Sequence, residues 1–201
     1  MTRDNACAPR ADDPDRDVLD LVERGDVTTA LRRLMQRYST VVRRYCRDAL
    51  RDAILADDVH QQVFMEVFRD LPRFAGRAPV RLWLFAIARH RSLDAAKARN
   101  RAHAVLQHSE AADAPDPHPS AAESIDETRL HRALAASLDE LGEPVRAAVL
   151  LRYHQGFTFR QMAQLCCERP GTLHARVTRA LPQLRARIES RIGAYHGALA
   201  R

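Results

Sequence analysis

The sequence predicts an all-α chain: two small helical domains joined by a flexible acidic linker. Three observations carry this. Apolar residues recur at three- and four-residue spacing on both sides of the chain's middle. Seven glycines and 5% aromatic residues in 201 positions are too few for a many-stranded sandwich or barrel. Residues 107–124, QHSEAADAPDPHPSAAES, hold three prolines within five positions and no apolar periodicity, the pattern of a connector. The expected domains are therefore 1–105 and 127–195, with the linker at 106–126. At 46% hydrophobic content, each domain can bury a core.

Each element has its own signal. Asp13 is placed to cap a first helix, with Pro14 in its first turn and Gly25 past its end. A longer helix follows Asp26, with Leu31, Leu34, Met35, Tyr38, Val41, Val42 and Tyr45 forming one buried stripe. A third helix is expected to start near Asp57 and Asp58 and to turn Val59, Val63, Phe64, Val67, Phe68 and Leu71 inward until Pro72 ends it. Phe74–Pro79 reads as a loop. A fourth helix from Val80 to about Ala102 buries Trp83, Leu84 and Ile87.

After the linker, Leu130, Leu134, Leu138 and Leu141 form another helical stripe. Gly142 and Pro144 separate it from a helix carrying Val145, Val149, Leu150 and Tyr153, which Gly156 breaks. Thr158 stands where an N-cap belongs, before Met162 and Leu165. A break at Cys167–Pro170 precedes a last helix from about Gly171, with Leu173, Val177, Ala180 and Leu184 inward. Pro182 is expected to kink that helix or end it near Leu181.

Composition excludes several functions. No run approaches the ~18 apolar residues of a membrane span, and Met1–Asp20 lacks the apolar core of a secretory signal. The expected setting is the cytoplasm, without a membrane partner. Cys7, Cys46, Cys166 and Cys167 form no CxxC pair, so neither a disulfide framework nor a zinc ribbon is expected. Cys166 and Cys167 read as a small core residue and a turn residue rather than a metal or redox switch with His154 or His174. No nucleophilic triad or glycine-rich phosphate loop is present. The expectation is no enzyme, no metal and no cofactor.

Charge is the more informative quantity. The net charge is +6, but it is segmented. Residues 1–28 carry eight acids and four arginines; 69–105 carry nine bases and two acids; 106–128 carry six acids and no base; 142–191 carry nine bases and three acids. Lys97 is the only lysine among 32 bases. Arginine's planar fork suits phosphates and guanine edges, so two basic blocks around an acidic spacer point to two units facing nucleic acid.

Thr158–Arg187 fits a helix-turn-helix: a short helix, TFRQMAQLC, the break CERP, and a longer helix from GTLHARVTRA. Ala163 gives the second helix room to approach. With Leu173, Val177 and Ala180 inward, helical spacing turns His174, Ala175, Thr178 and Arg179 outward toward a major groove. Arg176 on the flank and Arg169 just before the helix lie within reach of phosphate, and Thr172 shares the helix's N-terminal turn.

Together the two halves resemble bacterial RNA polymerase sigma factors of the extracytoplasmic-function (ECF) group, in the sigma-70 family. ADDVHQQVFMEVFRDLPRF and RLWLFAIARHRSLDAAKAR resemble that family's second conserved region. LDELGEPVRAAVLLRYHQGFTFRQMAQL and PGTLHARVTRAL resemble its fourth. The resemblance spans about Leu19–Val105 and Glu127–Ile188.

The resemblance implies a promoter-specificity subunit without catalytic chemistry of its own. Its implied partners are core RNA polymerase, through the β′ clamp helices and the β flap, promoter DNA, and an anti-sigma protein. Asp57, Asp58, Gln61, Gln62 and Glu66 are the implied polymerase-docking residues. Arg73, Phe74, Arg77, Arg81, Arg89, His90, Lys97 and Arg99 are implied at the −10 element, with Gly76 permitting an unusual loop backbone. Trp83 reads either as a stacking platform or as core, and Phe74 as a plug or a base contact. Arg169, Thr172, His174, Ala175, Arg176, Thr178 and Arg179 are implied at the −35 element. The acidic linker is implied to run through the RNA exit path, where its charge mimics nucleic acid; a solvated spacer with no specific path explains its composition equally well.

The chain departs from the family pattern in places. Cys167 stands where the turn usually has glycine, and Glu168 where an apolar residue is usual. His174 and Ala175 replace a basic residue and serine. Two rivals stay open: a stand-alone helix-turn-helix regulator acting through residues 158–187, and a degenerate member that docks without initiating, for which the departures at Cys167, Glu168 and Pro182 are the support.

Overall fold

The computed structural model describes residues 14–106 and 125–199. They form two compact helical units, each taken by itself, and no strand occurs among the described residues. The linker expected at 106–126 and Asp13, the expected first cap, fall largely or wholly outside them.

The first unit contains α1 (Arg16–Glu23), α2 (Val27–Leu50), α3 (Ala53–Asp70), a 3₁₀ turn (Leu71–Arg73) and α4 (Val80–Leu106). α1 begins at Arg16, so Asp15 rather than Asp13 precedes it. The Asp15 carboxylate makes no cap hydrogen bond; it is buried against α2. α2 is capped as its sequence suggests: the Thr29 N–H donates to Asp26 Oδ1 at 3.1 Å.

The start of α3 differs from expectation. It lies at Ala53, four residues before the Asp57–Asp58 pair, because Arg51 closes α2 in a left-handed conformation (φ 58°) and Asp52 caps at once. The Leu55 N–H donates to Asp52 Oδ1 at 2.9 Å. Asp57 and Asp58 therefore sit inside the helix. α4 runs past the expected Ala102 to Leu106.

The core of this unit lies between α2, α3 and α4. Leu34, Val42, Tyr45, Val63, Val67, Leu84 and Phe85 are buried, and the Tyr45 and Phe85 rings meet edge to face at 5.6 Å. Each such side chain contributes about 1.5–3 kcal/mol on leaving water. Two residues expected in the core stay outside: Met35 and Phe68. Trp83 is half-buried rather than core.

The second unit contains α5 (Ile125–Asp139), α6 (Glu143–Val149), a π-helical turn (Leu150–His154), α7 (Phe159–Cys166) and α8 (Pro170–Leu199). Leu141, Val149, Ala180 and Leu184 bring α5, α6 and α8 together, with Leu134, Leu138, Val145 and Ile188 packed around them. The π turn explains why Tyr153, expected inward, is 59% exposed. The Gln155 N–H reaches back five residues to the Leu150 carbonyl at 3.0 Å, so the inserted residue rotates the register outward. Leu130 is also exposed.

Pro182 does not end α8 near Leu181; the helix continues through it to Leu199. Pro182 and Thr178 are exposed. The Thr178 carbonyl, which loses its helical donor to Pro182, thus belongs to an exposed residue rather than to the core face of α8.

Candidate nucleic-acid and partner interfaces

In the second unit, local chemistry fixes the relation of α7 to α8. Thr158 Oγ1 accepts the Gln161 N–H at 3.3 Å, while Gln161 Oε1 accepts the Thr158 N–H at 2.9 Å, a capping box that starts α7. Cys167 ends it in the left-handed region, φ 53°. The Ala163 carbonyl accepts both the Cys167 and Glu168 N–H groups, and α8 begins at Pro170, after Arg169. Leu173, Val177 and Ala180 are buried, and so are Met162 and Leu165 of α7.

That packing turns Thr172, His174, Thr178 and Arg179 outward, with Arg169 exposed ahead of them. Ala175 is half-buried beside them. His174 packs edge-on against the Phe159 ring at 5.0 Å, and the Arg152 guanidinium lies 5.2 Å from the same ring. Arg176 differs from the rest: Glu168 holds it in a two-pronged ion pair at 2.9 and 2.6 Å. A cleft of about 710 Å³ separates this flank of α8 from the α5–α6 corner, with Leu141 and Val145 on one side and Thr172, Arg176, Arg179 and Gln183 on the other.

In the first unit, the loop after α3 carries Arg73 and Arg77 in the open. Gly76 has φ +65°, a backbone that side-chain-bearing residues rarely adopt. Phe74 and Trp83 stack, with ring centroids 4.6 Å apart and planes tilted by 33°. Both rings are half-buried, so the pair closes the base of the loop and still presents aromatic surface.

The basic surface expected on α4 is divided. Trp83, His90 and Lys97 recur every seven residues and share one stripe; His90 and Lys97 are exposed, with His90 Nδ1 3.4 Å from Asp94. Arg81 and Arg99, eighteen residues apart, share a different stripe facing α2. Arg81 lies 5.4 Å above the Phe85 ring, and Arg99 donates to the Leu50 carbonyl at 2.7 Å, where it closes the end of α2. Arg89 is half-buried, its Nε enclosed without a hydrogen-bond acceptor among the described residues.

The acidic and amide residues of α3 divide likewise. Asp58, Gln61 and Gln62 are exposed. Asp57 is gripped by Arg43 at 2.7 and 2.6 Å, and the arginine side-chain hydrogen bond holds its carboxyl below the usual range. Glu66 is turned toward α4, where Arg91 donates to it at 2.5 Å. Sequence reasoning missed what completes the outer face. Ile54 (80% exposed), Met65 (65%) and Phe68 (51%) line up with Asp58 and Gln61 at three- and four-residue spacing. The available signal was surplus: α3 has more apolar residues than one inward stripe holds.

Among the described residues, no group of three or more metal-ligating side chains converges, and no helix is long and apolar enough to cross a membrane.

Comparison with known proteins bears on both units. Residues 34–102 match the model of the family described as Sigma-70 region 2. Over 168 residues the chain is 30% identical to the ECF RNA polymerase sigma factor SigD of Mycobacterium tuberculosis (strain ATCC 25618 / H37Rv), covering 79% of this chain and 77% of that one. Among solved structures, the fold is shared with the sigma factor RpoE in complex with the anti-sigma factor NepR from Bartonella quintana. That match has a TM-score of 0.66 and 21% identity, covering 79% of this chain and 96% of that one. It is shared also with CnrH in complex with the cytosolic domain of CnrY, with a TM-score of 0.63 and 20% identity, covering 88% of this chain and 97% of that one. A helical unit matching region 2, a second unit carrying a capped helix-turn-helix, and this identity along most of the chain together place the protein in the family of ECF RNA polymerase sigma factors.

Proposed function

We propose that this chain binds core RNA polymerase, directs it to promoters by reading −35 and −10 elements, and helps open the DNA, while the polymerase supplies all catalytic chemistry. The observation that carries this reading is the division of α8. Leu173, Val177 and Ala180 are buried on one side, and Thr172, His174, Thr178 and Arg179 are presented on the other, after a capped turn. Such a helix fits a major groove, with its edges toward the two backbones.

The −10 role rests on Arg73, Arg77, the Phe74–Trp83 stack, His90 and Lys97. Cationic and aromatic groups together stabilise unstacked single-stranded bases. Polymerase docking, by the β′ clamp helices, rests on the outer face of α3, where Ile54, Met65 and Phe68 supply apolar contact and Asp58, Gln61 and Gln62 supply specificity. The β flap is the partner assigned to the second unit. An anti-sigma protein is the regulatory partner, by analogy with the two similar folds solved in such complexes. The domain limits follow the functions: 1–105 for polymerase and −10, 106–126 as connector, 127–195 for −35, all in the cytoplasm.

Run-off transcription tests this, with purified core polymerase and a promoter library, with and without the protein. The expected result is protein-dependent transcripts sharing an upstream motif. Co-elution with polymerase but no transcript identifies a docking member that does not initiate. Neither transcript nor co-elution overturns the reading and leaves a stand-alone DNA-binding regulator.

A further inference from the structure

Glu168 and Arg176 face each other across the turn of the helix-turn-helix. Arg176 Nη1 donates to Glu168 Oε1 at 2.9 Å, and Nη2 donates to Oε2 at 2.6 Å. Both side chains are about one quarter exposed, 24% and 27%, so the pair is shielded but not sealed. The carboxylate takes one hydrogen from each Nη. A guanidinium has five N–H hydrogens, so three remain for a further acceptor. Arg176 lines the cleft together with Thr172, Arg179 and Gln183, beside the exposed face of α8.

An acid on a DNA-facing turn is at first sight a defect. It repels the phosphates that the neighbouring arginines attract. Its geometry gives it another effect. A free arginine must give up much of its rotamer freedom to grip one acceptor, and an arginine already clamped by a two-pronged ion pair has less to lose. The flank of a helix lying in the major groove faces the sugar-phosphate chain rather than the base edges.

We propose that Glu168 is a positioning residue: its carboxylate holds the Arg176 guanidinium in the orientation in which it grips one backbone phosphate of DNA. The inference rests on the reading of α8 as the DNA-binding helix.

The sign of one substitution decides it. Electrostatics alone requires that removing the Glu168 charge tighten DNA binding. Positioning requires that it weaken binding. The test uses the full chain and a fluorescent duplex of random sequence, about 30 base pairs long, titrated by anisotropy over a series of KCl concentrations; a phosphate contact needs no promoter sequence. Arg176→Ala is expected to weaken binding about threefold to tenfold and to reduce the slope of log Kd against log [KCl] by about one. Glu168→Ala is expected to weaken binding in the same direction and to lower the same slope, with Glu168→Gln intermediate. In the Arg176→Ala background, Glu168→Ala is expected to cause no further loss. Thermal unfolding of each variant provides a separate readout. A purely structural pair lowers the melting temperature of both variants, yet leaves the salt slope at its parent value and gives tighter binding for Glu168→Ala.

Tighter binding by Glu168→Ala or Glu168→Gln, or an equal loss from Glu168→Ala with and without Arg176, overturns the inference. If the parent chain does not bind the duplex, or if Arg176→Ala and Arg179→Ala both bind as the parent does, the reading of α8 itself fails. Weaker binding by Arg176→Ala together with tighter binding by Glu168→Ala removes only the role given to Glu168.

Discussion

The Tyr38 hydroxyl donates to Asp15 Oδ2 at 2.7 Å, and it does so from a buried position on α2 to a carboxylate that is 1% exposed. Arg37, one residue away, donates to the other oxygen, Oδ1, and to the Pro14 carbonyl. Burial and the adjoining carboxylate keep the Tyr38 phenol in its protonated, donating form. The carboxylate at the N-cap position of α1 instead ties α1 to α2. Tyr38→Phe removes one donor from a buried acid and is expected to cost about 1–3 kcal/mol of stability. Chemical denaturation of the parent and variant checks this; a change near zero means that the Arg37 contact satisfies Asp15 alone.

On α3, exposure and engagement rank the residues proposed for docking differently from their chemistry in sequence. Met65 and Phe68 stand in solvent, whereas Asp57 and Glu66 are held by arginines of the same unit. Met65→Glu is expected to weaken binding to core polymerase by about 1 kcal/mol or more and to leave stability within about 0.5 kcal/mol of the parent. Asp57→Asn is expected to weaken that binding less. Competition for labelled polymerase measures both, and the reverse ranking would remove the apolar stripe from the interface.

These two cases show which features of the fold were legible in the sequence. Helix existence followed from apolar spacing, and the helix-turn-helix followed from Thr158, Gly156 and the inward residues Leu173 and Val177. The caps were harder. Asp13, Asp15, Asp52 and Asp57 are chemically equivalent signals; the left-handed turn at Arg51 makes Asp52 the cap, and contact with α2 makes Asp15 a buried tie. The left-handed Arg51 was likewise hidden, since it adopts positive φ without glycine, whereas Cys167 was marked by standing where the turn usually has glycine. The π turn that exposes Tyr153 leaves no mark in a 3.6-residue pattern. Arginines posed the same difficulty at the site. Arg99 and Lys97 lie two residues apart in one basic block, yet on an α-helix they point to different sides.

That divergence separates their substitutions. Arg99 donates to the Leu50 carbonyl at the end of α2, a place where positive charge complements the helix dipole. Arg99→Ala is expected to lower stability by about 1–2 kcal/mol and to leave the salt dependence of DNA binding unchanged. Lys97→Ala is expected to leave stability within about 0.5 kcal/mol and to reduce the salt slope by about one on promoter DNA bound with polymerase. A fall in stability for Lys97→Ala, or a changed slope for Arg99→Ala, would put the −10 surface on the other stripe.

The last prediction concerns pH. His60 is half-buried on α3, packs edge-on to Phe64 at 5.1 Å, and its Nε2 lies 3.0 Å from Ser39 Oγ. Burial lowers its pKa from the ordinary value of 6.5, opposed by the Ser39 hydrogen bond; Arg43 lowers it from α2, and Asp57, three residues away on α3 itself, raises it. As pH falls through about 6.5, the unfolded chain takes up a proton at this position before the folded chain does. Stability therefore declines from neutral pH toward the folded value and is flat above neutrality. Asp17 and Asp57, both held below 3.8, lose their contribution only in stronger acid, so they do not enter this window. His60→Gln is expected to flatten the dependence of the melting temperature on pH between about 7.5 and 5.5. An unaltered slope in that variant would assign the titration to another group; a uniform drop in melting temperature at every pH would report only the lost Phe64 and Ser39 contacts.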